Sequence, residues 1–117
     1  MNDSSVPQFL QGFFTFEGKG FDAPLLLDPA LRYVVPAGAT TQPVYFRGGN
    51  SSTEMITVVL MRDGVPMRYF PIAAKGSVHV SLRVVEDLLA DTVLEVFIAA
   101  PAEAIGTVVV DLGLIEI

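Results

Sequence analysis

The chain has no cysteine, no tryptophan and a single histidine in 117 residues. Without cysteine no disulfide can form, and the compartment stays open, since a cysteine-free chain suits reducing and oxidising surroundings alike. One histidine and no thiolate cannot supply the N and S ligands that zinc sites require. Charge is also scarce. Asp, Glu, Lys and Arg make up 17 % of the residues, against about 25 % in ordinary soluble domains. The seven basic residues, Lys19, Arg32, Arg47, Arg62, Arg68, Lys75 and Arg83, are scattered and form no run. Nucleic acid needs a concentrated basic footprint, so neither nucleic acid nor an acidic membrane surface is an expected partner. A membrane-spanning helix needs about 20 consecutive apolar residues, and no stretch comes near that length. The opening Met1-Asn2-Asp3-Ser4-Ser5-Val6-Pro7 lacks the basic start and apolar core of a secretory signal. A cytoplasmic protein is the expectation.

What the chain has in abundance is apolar surface. Hydrophobic residues account for 51 % before the 10 glycines are counted, and mean hydropathy is +0.54. The net charge of −6 serves mainly to keep such a chain in solution. The length predicts one domain, which on folding hides about two-thirds of its surface and so needs no cross-link. Residues 1–7 are expected to be a flexible tail and residues 8–117 the domain.

Apolar runs rich in β-branched and aromatic residues recur every 8 to 14 positions, divided by Gly, Pro, Asn and Asp. That rhythm predicts an all-β fold of about eight strands, mainly antiparallel. The expected strands are Phe9 to Glu17, with a bulge or bend at Gly12; Leu31 to Val35; Val44 to Arg47, closed by Gly48-Gly49-Asn50; Met55 to Arg62; Pro66 to Ala73; Val78 to Leu82; Thr92 to Ala99; and Thr107 to Ile117. Leu25-Leu26-Leu27, between Pro24 and Pro29, reads as a buried crossing segment that is only partly regular. Asp63-Gly64 between two apolar runs is a strong hairpin signal, because its glycine supplies the positive φ of a type I′ turn. The period shifts once. Val84, Val85, Leu88 and Leu89 suggest at most one short helical turn near 84–91. In strand number and turn spacing the pattern resembles the broad class of immunoglobulin-like and jelly-roll β-sandwiches. It lacks the buried Trp and Cys pair of antibody domains.

Several strands are apolar on both faces, where a sheet with one wet face alternates apolar and polar. Opposite Leu94, Val96 and Ile98 stand Val93, Glu95 and Phe97. Opposite Val108, Val110, Leu112 and Leu114 stand Val109, Asp111, Ile115 and Ile117. Opposite Ile56, Val58 and Leu60 stand Met55, Thr57, Val59 and Met61. Single exposed apolar residues are ordinary, but contiguous ones mark contact sites, and aromatics and methionine favour interface centres. Met55, Val59, Met61, Val93, Phe97, Val109, Ile115 and Ile117 are therefore the expected contact residues, covered by a second copy of the chain or by another protein subunit.

Residues able to do chemistry are few. His79 is the one side chain with a near-neutral reference pKa. It shares a strand face with Ser77 and Ser81, and same-face neighbours lie about 6.6–7 Å apart, too far for a nucleophile–base hydrogen bond. It reads as a surface histidine. Glu86-Asp87 with Asp91, and Asp22 with Asp28, lack the ligand spacing of a calcium loop and read as turn caps and solvated acids. Neither a metal nor a cofactor is expected. Arg47-Gly48-Gly49-Asn50-Ser51-Ser52-Thr53 could form an anion nest, but it lacks P-loop spacing and reads as an interstrand loop. Asn50-Ser51-Ser52 also fits a glycosylation sequon. Tyr33, Tyr45 and Tyr69 could stack on a sugar, although core-edge positions suit them better. The sequence thus predicts a non-catalytic structural or interaction protein, a homo-oligomer or a small accessory subunit of a larger complex. A ligand-binding module for a carbohydrate or small anion is the alternative, and a hydrolase using His79 stands last.

Overall fold

A computed structural model describes residues 5–117 of the chain. It contains nine strands: β1 (Val6–Glu17), β2 (Leu25–Leu26), β3 (Arg32–Val34), β4 (Thr41–Asn50), β5 (Ile56–Arg62), β6 (Val65–Ile72), β7 (Ser77–Ser81), β8 (Val93–Ala99) and β9 (Ile105–Glu116). The first sheet has the order β1-β9-β4-β7, and the second β2-β8-β5-β6 with β3 also paired to β8. Every named pairing is antiparallel. The chain crosses between sheets after β1, β3, β4, β6, β7 and β8. With β2 and β3 counted as one interrupted strand, this is the connectivity of a jelly roll, two four-strand layers closed face to face.

The alternation of side chains explains the core. Val108, Val110, Leu112 and Leu114 on β9 point inward, towards Leu94, Val96 and Ile98 on β8 and Ile56, Val58 and Leu60 on β5. Phe46 and Phe70 stack across the layers with ring centroids 4.2 Å apart and planes 7° from parallel. Burying one such side chain contributes about 1.5–3 kcal/mol, so the sandwich closes without cross-links.

Several segments depart from expectation, each for a local reason. Residues 1–4 lie outside the described residues, but Val6 and Pro7, placed in the tail by the sequence, stand in β1 opposite Glu116 and Ile115. The length of β9 carries the pairing that far. No bulge forms at Gly12, since the β1–β9 register runs through it unbroken. β4 continues through Gly48, Gly49 and Asn50 instead of closing at Arg47. Gly48 is needed there because a Cβ would meet the Phe46 ring and Ile72 at 2.8 Å. Leu25 and Leu26 are exposed rather than buried, and prolines on either side of the segment, which cannot donate to a ladder, limit it to two paired residues.

The stretch 84–91 holds no helical turn. Leu88 instead exchanges backbone hydrogen bonds with Thr41, at 2.8 and 2.9 Å. Arg68 holds the stretch extended, donating to the Val84 carbonyl at 2.6 Å and to Glu86 at 2.8 Å. Leu88 alone of the four apolar residues is sealed in the core, whereas Val84, Val85 and Leu89 face outward. A helical face was never required.

The Asp63-Gly64 hairpin has the expected two-residue turn, with Arg62 opposite Val65 and positive φ at both turn residues, 52° and 79°. A Cβ at Gly64 would meet nothing within 4 Å, so any cost of substitution there is backbone strain alone. Gly64→Val should lower unfolding stability by about 1–2 kcal/mol, and Gly64→Asn, whose side chain tolerates this region, by less. Urea unfolding reads both; equal midpoints for the two variants contradict the turn assignment.

Candidate functional site

The topology divides the expected contact residues. β8 and β9 follow one another in sequence but belong to opposite sheets, so their second faces look in opposite directions. Val59, Met61, Val93 and Phe97 share the outer face of the second sheet. Val109 and Ile115 lie on the outer face of the first. Met55 precedes β5, and Ile117 follows β9. The eight residues therefore do not form one surface.

Half of them lie on the second sheet. Strand register aligns Leu26, Phe97, Val59 and Tyr69 in one row across β2, β8, β5 and β6. Val59, flanked by Phe97 and Tyr69, is only 1 % exposed, while Tyr69 at the rim is 63 % exposed. The neighbouring row runs Arg32, Glu95, Met61, and Val34 pairs with Val93 beyond it. Arg32 and Glu95, opposite charges in register, interrupt an otherwise apolar centre.

The middle of the first sheet's outer face is polar, while Phe9, Phe13 and Val109 leave it apolar towards the β1 edge. Gln11, Asp111, Arg47 and His79 form a row across β1, β9, β4 and β7. Arg47 donates from Nε and Nη2 to Oδ2 of Asp111 at 3.2 and 2.8 Å, and the Tyr45 hydroxyl donates to Oδ1 at 3.0 Å. The guanidinium carbon lies 5.5 Å from the Tyr45 ring centroid, and His79 meets that ring edge-on at 6.3 Å. The Tyr45 ring lies over Gly113, where any Cβ would sit 2.0 Å from it. Burial first, then the Asp111 hydrogen bond, raise the Tyr45 hydroxyl above its ordinary value. The same carboxylate, as hydrogen-bond acceptor, raises Arg47. Beside this cluster a depression of about 590 Å³ opens over Gly48 and Gly49, bounded by Val109, Ser77 and His79.

These contacts decide several earlier readings. Gly48 and Gly49 are paired between β7 and β9, so their N–H groups alternate in direction and cannot converge as an anion nest requires. Arg47 is already neutralised by Asp111. The sequon asparagine is 5 % exposed. Its Nδ2 donates to the carbonyls of Glu54 at 2.8 Å, Ala73 at 3.1 Å and Ile72 at 3.3 Å, and its Oδ1 accepts the Ser52 N–H at 2.9 Å. Asn50 is a clasp between the end of β4 and the β5–β6 hairpin, with no room for a glycan. The sequence carried a signal for this, since Asn commonly bonds the backbone two residues on. Of the grouped acids, Glu86 pairs with Arg68, Asp87 accepts from Gln42 and Asp28 accepts the Ala30 N–H. No group of three or more His, Cys, Asp or Glu side chains is placed to hold a metal among the described residues. Among the same residues, no helix is long and apolar enough to cross a membrane.

Sequence reasoning missed the polar contact at the far end of the sandwich. The Tyr33 hydroxyl donates to Glu116 and shares a 2.8 Å hydrogen bond with fully buried Thr41. Burial, followed by the Glu116 hydrogen bond, pushes this hydroxyl up to about 12. An ordinary tyrosine ionises near pH 10, so the folded state holds the proton more tightly than the unfolded chain. The resulting stabilisation is complete below about pH 10 and is lost as pH rises towards 12. Tyr33→Phe should therefore unfold about 1 kcal/mol more easily than the parent at pH 8, with the gap closing above pH 10. Urea titrations across that range check this, and a gap that stays constant contradicts it.

No family model matches the chain, and no curated protein matches it by sequence. Solved structures do match in fold. One is the CBM36-1 domain of a multidomain xylanase from the hindgut metagenome of Trinervitermes trinervoides, with a TM-score of 0.57 and 12 % identity, covering 94 % of this chain and 96 % of that one. Another is a chain of infectious bursal disease virus, Gt strain, with a TM-score of 0.51 and 10 % identity; the match covers 97 % of this chain but 33 % of the viral one. At such identities the likeness is one of fold. The chain is an all-β sandwich of the kind found in a carbohydrate-binding module domain and in a virus.

Proposed function

We propose that this protein is a non-catalytic β-sandwich that assembles, with copies of itself or as a small accessory subunit of a larger complex, through the outer face of its second sheet. The observation that carries the reading is the unbroken row Leu26, Phe97, Val59 and Tyr69 across four strands. An antiparallel sheet facing water alternates apolar with polar, and this face does not. Val59 is already sealed by its neighbours, and covering exposed Leu26 and Tyr69 together with half-buried Phe97 removes apolar surface from water at about 25 cal/mol per Å². The single Arg32–Glu95 pair in register supplies polar definition without breaking the patch.

A ligand-binding role on the opposite face is the second reading. Arg47, Asp111 and His79 line a shallow depression, the Tyr45 ring lies beside them against Arg47 and His79, and a carbohydrate-binding module domain is among the structures of similar fold. Hydroxyl-rich ligands suit such a mixture of ring face, guanidinium and carboxylate. Titration with a panel of soluble polysaccharides, xylan included, tests it, with Arg47→Ala as the control.

The assembly reading is tested by charge placed on the second sheet. Phe97→Glu would bury an unpartnered carboxylate at the contact, and Tyr69→Glu does the same at an exposed position the fold does not need. Both should lower the mass measured by light scattering after size exclusion while leaving the far-ultraviolet β signal intact. If folded Tyr69→Glu keeps the parent mass at every concentration, the second sheet is not the contact.

A further inference from the structure

We propose that β1 is a dimerisation strand, pairing antiparallel with β1 of a second copy of this chain about a two-fold axis at Gln11. This extends the assembly reading to a different surface and does not depend on the second-sheet face.

Edge strands carry unpaired N–H and C=O groups and recruit other strands unless something prevents it. Three of the four edges here are protected. β7 is five residues long. β6 carries Pro66 and Pro71, and its register with β5 shifts between Leu60 and Met61. The β2–β3 edge is split into pieces of two and three residues, with Pro29 between them and Arg32 opening the second. Prolines, short strands, bulges and charges are the usual means of blocking an edge.

β1 has almost none of them. It runs for twelve residues, its single charge is Glu17 at the last position, and its one proline, Pro7, stands at the start. Its partner β9 is continuous beside it with no shift of register, so the edge is unbroken and about 40 Å long at roughly 3.3 Å per residue. In an antiparallel ladder alternate residues turn both backbone groups away from their neighbour. About half of the β1 residues therefore offer hydrogen bonds outward. On the outer face this edge shows Phe9, 51 % exposed, and Phe13, 77 % exposed.

The sequence of β1 is self-complementary around Gln11. A two-fold axis there places Phe9 opposite Phe13 of the second copy, twice, and sets Leu10 opposite Gly12. Aromatic cross-strand pairs are among the favourable ones. In this register all four rings fall on the same outer face, each beside a glycine or valine of β9, since Phe9 neighbours Gly113 and Phe13 neighbours Val109. The two Glu17 carboxylates fall at opposite ends, about 40 Å apart, beyond the Debye length of roughly 8–10 Å. Repulsion between the two acidic chains is thus kept away from the junction. The product is a continuous eight-stranded sheet closed by an isologous contact, the commonest form of dimer.

The absence of cysteine from the chain makes a clean test possible. Two residues facing each other across antiparallel strands have Cα atoms about 4.5–5.5 Å apart, inside the range a disulfide spans. Gln11→Cys should form a covalent dimer under mild oxidation, whereas Thr15→Cys, some 27 Å from its copy in this register, should cross-link at least tenfold more slowly. Phe13→Lys, at an exposed position, should abolish pairing through β1, and with it the Gln11→Cys cross-link, with the β signal retained. Tyr69→Glu should leave that cross-link intact, which separates this contact from the second-sheet one. Equal cross-linking rates at positions 11 and 15, or no cross-linking at either, would overturn the proposal, as would a Phe13→Lys variant that cross-links at the parent rate.

Discussion

The fold depends on β9. Its twelve residues are paired to β1 along their whole length on one side and to β4 on the other. Val108, Val110, Leu112 and Leu114 from this one strand are sealed inside the sandwich. Because β9 is central, the side chains on its other face, Val109, Asp111, Gly113 and Ile115, set the character of the outer surface. Asp111 draws Arg47 and Tyr45 together, and Gly113 gives the Tyr45 ring its seat. The length of β9 also fixes the length of β1, so a long central strand creates a long edge.

The two outer faces have accordingly diverged. The first sheet carries a satisfied polar cluster at its middle and aromatic residues towards its β1 edge. The second carries an apolar row with one charge pair. A sandwich of 117 residues has enough inward positions for a core without using these residues. Their presence outside gives the composition its excess of hydrophobic residues, and we attribute that excess to contacts between chains.

Much of the architecture could be read from the chain. The Asp63-Gly64 turn, the strict alternation of β7 and the inward sets of β5, β8 and β9 were legible because each depends on neighbours in sequence or on a period of two. The four apolar residues of 84–91 leave a helical turn open in the sequence, because Arg68 and Thr41, distant in sequence, decide its backbone. Asn50 was read as a loop residue for the same reason, as its three carbonyl partners include two from beyond β5. The contact residues show the limit most plainly. Which residues face away from the core could be inferred strand by strand, but not that β8 and β9 lie in different sheets. That depends on how the chain crosses over, which alternation does not encode. The unprotected β1 edge was equally invisible until strand order identified the edges.

If other copies of this chain cover the apolar surfaces outside the core, the protein on its own should self-associate. Sedimentation equilibrium of the unmodified protein between about 1 and 100 µM tests it most directly, since a specific contact of standard size is commonly micromolar or tighter. The mass should be a whole multiple of 12.6 kDa and fall towards one chain only on dilution. A single species of 12.6 kDa across the whole range would contradict assembly with copies of itself.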